Sequence, residues 1–269
     1  VKKIRLTGGE PLVRKEFPEI LERLSGHPVE LTLTTNGVLI HKHIEVLKKA
    51  GVRSVNVSLD TLNRGKFLQL TRRDQFDQVW ENIHLLLSEG FRVKVNAVAL
   101  HGMIEDEICD FIQVTENLPL HVRFIEFMPF EGNRWEQEKV VTWQQMLDVV
   151  RNAYGAGIEP LPRKAHETVK QYRVIGGKGT FAVISTMSAP FCGDCNRMRL
   201  TADGKMKNCL FSKGETDLLG ALRKGEPLLP LIEENIGQKA MALGGQFAGD
   251  LENIDAASIV NRSMITIGG

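Results

Sequence analysis

Along its first 130 positions the chain alternates short runs of β-branched and apolar residues with longer amphipathic stretches. KKIRLT, VELTLTT, SVNVSLD, VKVNAVAL and HVRFIEFMP have strand character and recur at intervals of about 25 to 40 residues. Between them, apolar residues at helical spacing predict helices over Phe17–Leu24, His43–Lys49, Phe76–Ser88 and Glu107–Thr115. This β/α alternation predicts a parallel sheet with crossover helices, and the near-equal spacing favours closure towards a barrel.

Each predicted strand also ends in polar residues: Thr7 and Glu10, Thr34 and Asn36, Ser58 and Asp60, Lys94 and Asn96, Glu126 followed by Met128. In a parallel barrel the carboxyl ends of the strands open on one face, where these side chains would converge. Lys94 and Asn96 alternate with Val93, Val95 and Ala97, so they share one face of a strand instead of merely beginning a loop. In RLTGGEPL, Gly8 and Gly9 suit a turn and Pro11 suits the first turn of a helix. That reading leaves Glu10 unexplained at a position where α/β folds gather ligand contacts.

The second half has a different texture. A helix is predicted over Trp143–Asn152, followed by a connector interrupted by Pro and Gly. YRVIGG and TFAVIST read as antiparallel strands, MRLTADGKMKNCLF as a hairpin turning at Asp203-Gly204, and Thr216–Leu222 and Leu228–Ala242 as helices.

Composition adds limits more than identity. With 269 residues, 42% of them apolar, the chain can hold one large barrel or two smaller domains. The net charge of +1 gives no bulk attraction to nucleic acid or membrane, so a polyanionic ligand needs locally placed cations. No apolar run approaches the roughly 18 residues of a membrane span. Cys109 stands alone in a helical stretch and reads as a buried, inert thiol, whereas Cys192, Cys195 and Cys209 are grouped as C-x2-C-x13-C. Four cysteines in a chain of this length favour a reducing compartment. Zinc sites with C-x2-C pairs usually recruit four ligands, and no fourth is close in sequence. Three thiolates can instead hold an iron-sulfur cluster with one iron open, and a redox C-x2-C pair is a third possibility that leaves Cys209 unassigned. Arg197 and Arg199 follow directly and would face one side of a strand, where guanidiniums suit phosphate or a carbonyl-rich base.

TGGEP, TLTTNG, VNVSLD, VKVNAV, RFIEFMP, FCGDCNRMRLTADGKMKNCLF and the closing NRSMITIGG resemble, in that order, the radical S-adenosylmethionine (SAM) enzymes of the GTP 3′,8-cyclase family, which begin molybdenum cofactor synthesis. GGEP points only to the superfamily; the cysteine block with NRMR and the final Gly-Gly are more specific. The resemblance implies a partial six-stranded (β/α) barrel, here lacking its first strand, over residues 1–130, and an α+β cap region over residues 131–269. It also implies that Gly8, Gly9, Glu10, Ser58 and Met128 line the SAM site, and that Arg5, Thr34, Lys94, Arg197, Met198 and Arg199 contact GTP. Cys192, Cys195 and Cys209 would bind a second [4Fe-4S] cluster whose open iron the guanine takes. In the implied reaction a 5′-deoxyadenosyl radical removes the hydrogen at ribose C3′, and C3′ then bonds to C8 of the base.

Family members also carry an N-terminal C-x3-C-x2-C loop that holds the SAM-cleaving cluster, together with a further arginine for GTP. Neither occurs in these 269 residues. The chain is therefore read as N-terminally incomplete and is expected not to cleave SAM by itself, an expectation that deoxyadenosine formation would contradict. Two alternatives stand beside the cyclase: a peptide-modifying radical SAM enzyme with an auxiliary cluster, and a non-catalytic form that binds GTP or a partner. The resemblance further implies an electron-donor protein, a downstream cyclic pyranopterin monophosphate synthase, a homodimer, and no nucleic acid or membrane. The expected compartment is the cytoplasm, or the mitochondrial matrix in an animal. The Gly268-Gly269 ending is expected to reach the active site.

Overall fold

The computed structural model describes residues 1–131, 133, 135–162, 169–190, 192–246 and 261–267. Strands β1 (Lys3–Leu6), β2 (Glu30–Thr35), β3 (Ser54–Ser58), β4 (Arg92–Ala99) and β5 (His121–Glu126) pair in chain order, all parallel. The crossovers between them carry α1 (Phe17–Ser25), α2 (Ile40–Lys49), α3 (Arg64–Thr71), α4 (Phe76–Ser88) and α5 (Ile108–Asn117). After α6 (Trp143–Tyr154) come β6 (Ile158–Pro160), β7 (Lys170–Val174) and β8 (Thr180–Ile184). β8 returns to pair parallel with β5, and β7 and β6 follow antiparallel, giving one eight-stranded sheet in the order β1-β2-β3-β4-β5-β8-β7-β6. YRVIGG and TFAVIST are thus antiparallel to each other as expected. The sheet they extend is the barrel sheet itself, which runs across residue 130.

A second, three-stranded sheet holds β9 (Arg199–Leu200), β10 (Lys205–Lys207) and β11 (Thr216–Asp217). Gly204 takes φ +77° in the Asp203-Gly204 turn between β9 and β10, a conformation available to glycine at little cost. The remaining helices are α7 (Leu218–Arg223), α8 (Leu228–Gly237) and α9 (Met264–Ile267). The predicted helix over 216–222 therefore begins as a strand, and the one over 228–242 stops at Gly237. Arg199 lies on a strand while Arg197 precedes it, so the two are neighbours without sharing strand parity.

α3 has no sequence forecast because its apolar residues do not fall on one face. Asn63 caps it by accepting from Lys66 N at 3.0 Å, and Phe67 alone is buried. Capping and one anchoring aromatic replace periodicity there.

Two cores result. The larger lies between the outer face of the sheet and the helices, with Leu33, Val55, Val57, Val93, Val95, Val122, Phe124 and Phe181 facing residues such as Phe17, Leu47, Ile83, Phe111 and Leu147. Burying each such side chain contributes about 1.5–3 kcal/mol before entropy is counted. The smaller core gathers Phe130, Trp135, Met187, Phe211, Leu243 and Ile267, with Cys192, Cys209 and Met128 packed against it. Cys109 is half-buried instead of fully enclosed, and burial pushes its thiol above the usual range, consistent with an unreactive group.

Candidate functional site

Strand register decides what the inner face of the sheet presents. Thr34, Asn56, Lys94, His121 and Thr180 stand side by side across β2, β3, β4, β5 and β8. Two residues further on, Ser58, Asn96, Arg123 and Ala182 form the next row. The helix-facing positions between these rows are Val57, Val95, Val122 and Phe181, all buried. Period-two alternation therefore sends the large apolar residues of these strands outward to the helices and most of the polar ones into the lumen.

The lumen is cationic. Arg5 on β1, Lys94 on β4, Arg123 on β5, and Arg197 and Arg199 beside β9 influence one another through space. Burial lowers all five basicities first, and the neighbouring cations add to it for Arg5, Lys94, Arg123 and Arg199. Lys94 falls to about 8, Arg123 to about 9 and Arg199 to about 10. His121 is held near 3 by the same burial and by Arg123 and Lys94, and is neutral at physiological pH; its Nδ1 lies 2.6 Å from Thr180 Oγ1. Arg5 and Arg197 keep solvent-accessible surface, and burial nevertheless lowers their basicity.

The glycine-rich turn lies at one rim. Gly8 has φ +138°, which an L side chain rarely adopts, and nothing stands within 4 Å of the Cβ it lacks. Glu10 reaches across to β2: its carboxylate accepts from Leu12 N (3.1 Å), Thr35 Oγ1 (2.7 Å) and Asn36 N (2.6 Å). Ser58 is exposed at the end of β3, and Met128 is half-buried against the smaller core just past β5. Asn133 donates from Nδ2 to Met128 O at 2.7 Å and fixes that segment.

Glu126, fully buried at the end of β5, ties this rim to the cysteine loop. Its carboxylate accepts from Trp143 N (2.8 Å), Met187 N (2.7 Å), Ser188 N (2.9 Å) and the Ser188 hydroxyl. Cys192 and Cys195 flank a tight turn with Cys195 N donating to Cys192 O at 3.1 Å, and Cys209 follows β10. All three thiols are free and half-buried. Leu243 N donates to Cys192 Sγ at 3.3 Å, and Lys239 Nζ lies 3.9 Å from Cys195 Sγ. Among the described residues, no group of three His, Cys, Asp or Glu side chains is arranged to hold a metal ion. Gly268 and Gly269 lie outside the described residues.

Of the residues predicted from sequence, the lumen brings together Arg5, Thr34, Lys94, Arg197 and Arg199, with Met198 in the segment between the two arginines. Arg123 and His121 were missed. Their signal was present in HVRFIE, where they share parity with each other and oppose the apolar Val122 and Phe124.

A mostly parallel sheet with a polar, cationic face, a glycine turn after its first strand and a group of three cysteines beyond it fits the architecture of a radical SAM protein. Residues 1–114 match the Radical SAM superfamily and residues 120–243 match Molybdenum Cofactor Synthesis C. The solved structure of Streptococcus suis SuiB bound to S-adenosylmethionine shares the fold at TM-score 0.58, with 15% identity over 82% of this chain and 54% of that one. Among curated proteins, the chain is 42% identical to the mitochondrial GTP 3′,8-cyclase of Arabidopsis thaliana, over 100% of this chain and 68% of that protein. It is 38% identical to GTP 3′,8-cyclase of Rhodopirellula baltica, over 91% of this chain and 70% of that protein. The chain belongs to the GTP 3′,8-cyclase family. Molybdenum cofactor biosynthesis protein 1 of Mus musculus is 44% identical over all of the chain, which spans 42% of that longer protein. No helix of the described residues is long and apolar enough to cross a membrane.

Proposed function

We propose that the protein acts as a GTP 3′,8-cyclase, converting GTP to 3′,8-cyclo-7,8-dihydroguanosine 5′-triphosphate in the first step of molybdenum cofactor biosynthesis. The observation that carries this reading is the cationic lumen itself. Burial lowers the basicity of all five groups, neighbouring cations lower Arg5, Lys94, Arg123 and Arg199 further, and among the described residues neither Lys94 nor Arg123 forms an ion pair. Assembling such a set is costly unless a polyanion completes it, and a triphosphate supplies the missing charge.

On this reading Arg5, Lys94, Arg197 and Arg199 hold the triphosphate and base, joined by Arg123, while Thr34 and Met198 complete the pocket. Fixing the phosphates keeps the ribose from drifting, so that C3′ and C8 stay in contact; such positioning is worth several orders of magnitude in rate. Gly8, Gly9, Glu10, Ser58 and Met128 are assigned to SAM. A carboxylate offers about four lone-pair positions; Glu10 uses three on backbone and hydroxyl donors, which leaves one for the methionyl ammonium.

Cys192, Cys195 and Cys209 are assigned to a [4Fe-4S] cluster. The donor set fits. A tetrahedral zinc ion would need a fourth ligand beside the three thiolates, whereas three free, half-buried thiols suffice for a cluster with one open iron. Apolar packing from the smaller core and N–H donors at two sulfurs also suit a cluster. The cluster held by these cysteines would take the guanine at its open iron, whereas hydrogen-atom abstraction at ribose C3′ would come from SAM with the cluster of the family's N-terminal C-x3-C-x2-C loop, which these 269 residues do not include. An electron-donor protein, a downstream cyclic pyranopterin monophosphate synthase and a homodimeric state belong to the same proposal.

The test is anaerobic incubation of the whole protein with GTP deuterated at ribose C3′, SAM and a reductant. Deuterium should appear in 5′-deoxyadenosine together with the cyclised nucleotide. Deuterium transfer into a peptide, or no nucleotide product, would contradict the proposal.

A further inference from the structure

The segment Lys239–Gln246 touches the cysteine loops through Lys239, Leu243, Gly244 and Gln246. Lys239 Nζ donates to Arg197 O at 2.9 Å and stands 3.9 Å from Cys195 Sγ, so one ammonium spans a thiol and the backbone of an arginine that faces the lumen. Leu243 N donates to Cys192 Sγ at 3.3 Å. To present that N–H, the backbone takes φ +42° at Leu243, +65° at Gly244 and +75° at Gly245, an unusual run for a non-glycine start. A Cβ on Gly244 would lie 2.4 Å from Phe211 C and 2.5 Å from Ser212 N, so the strap is pressed backbone to backbone against the loop that follows Cys209. Gln246 Nε2 donates to Phe211 O and closes the contact. The Leu243 side chain, 3% exposed, anchors the strap in the smaller core.

We propose that residues 239–246 are a strap that sets the electronic state of the second cluster, with Lys239 as the positioning residue that supplies a positive charge and an N–H···S contact at Cys195. The inference rests on the assignment of Cys192, Cys195 and Cys209 to a [4Fe-4S] cluster. Reduction adds negative charge to a cluster, so a cation and N–H donors at its thiolates favour the reduced form and raise the potential. Because Lys239 also holds Arg197 O, the same side chain couples the cluster's thiolate shell to the backbone of the arginine assigned to GTP.

The experiment is a potentiometric titration of the anaerobically reconstituted protein, with iron content measured in parallel. Wild type should bind roughly four iron at this site. Lys239→Met should retain that iron and shift the ratio of reduced to oxidised cluster at fixed poise about tenfold towards oxidised, a fall of about 59 mV for a one-electron couple. Lys239→Arg should restore most of the shift by restoring the charge. Gly244→Ala should lower iron retention, because its Cβ meets the Phe211–Ser212 backbone. Four iron with an unmoved potential in Lys239→Met, or an equal fall in Lys239→Arg, overturns the inference and leaves the cluster assignment standing. Stoichiometric zinc in the wild type overturns the cluster assignment and the inference with it.

Discussion

Arg123 on β5 donates from Nε to Asn96 Oδ1 on β4 at 2.8 Å, and the two residues are register partners on the lumen face. A neutral amide thus aims a guanidinium that forms no ion pair among the described residues. Asn96→Leu should leave Arg123 charged but unaimed and weaken GTP binding about tenfold, with Arg123→Ala weakening it further, since losing one partner of a buried charged contact costs about 2–5 kcal/mol. Equilibrium titration of the two variants with GTP checks the order.

Lys94 carries the pH dependence. Its folded value near 8 lies below the ordinary 10.5, so the free folded state gives up this proton more readily than the unfolded chain does. The penalty is therefore full below about pH 8 and is relieved as pH rises from about 8 towards 10.5. GTP acts in the opposite sense: a triphosphate stabilises the protonated ammonium, so binding should take up protons near pH 8 and weaken as pH rises above it. Lys94→Met should raise the melting temperature of the free protein at pH 7, lower GTP affinity and abolish the proton uptake around pH 8. Calorimetry in buffers of different ionisation enthalpy measures that uptake.

Glu126 satisfies four donors from two separate segments, and the Met187–Ser188 turn it holds lies shortly before Cys192. Glu126→Gln sets an amide N–H₂ against at least one of those donors, at a cost of about 1–3 kcal/mol. A chain of this size should lose several degrees in melting temperature, roughly 2–4 °C per kcal/mol. Iron retention at the cysteine loop should fall with it; thermal melting and iron analysis on the same sample check both.

The hairpin that carries Cys209 is pinned by a buried lysine. Lys207, 1% exposed, donates to Ser212 O at 2.7 Å and to Asn261 Oδ1 at 3.2 Å, with Glu215 at 3.6 Å. Asn261 in turn donates to Leu210 O at 2.9 Å. Lys207→Met leaves the Ser212 carbonyl and the Asn261 amide oxygen without this donor, so it should destabilise the hairpin by about 1–3 kcal/mol. Protease cleavage after the 205–215 hairpin, compared with wild type, reads the loosening; unchanged protection would remove the network from the account.

How much of this was legible beforehand depended on the kind of order involved. Alternation in VKVNAVAL fixed which face of β4 carries Lys94 and Asn96, because period two needs no tertiary information. The same rule applied to HVRFIE would have found Arg123. The pairing of TFAVIST with HVRFIE was invisible, since parallel partners distant in sequence leave no local trace. α3 lacked periodicity, and Thr216 entered a short edge strand through pairing with Met206, an override of local propensity by tertiary context. Lys239 and Leu243 at the sulfurs could not be anticipated either, because their approach depends on a positive-φ backbone far along the chain from Cys192 and Cys195.

The central claim is that the cationic lumen is a nucleotide triphosphate site, and isothermal titration of the protein with GTP, GDP and guanosine at two salt concentrations tests it most directly. The account predicts that affinity falls steeply from GTP to guanosine, that it weakens as salt rises, and that Arg123→Ala and Lys94→Met flatten the series. Equal affinity for GTP and guanosine, or a series untouched by those substitutions, would contradict it.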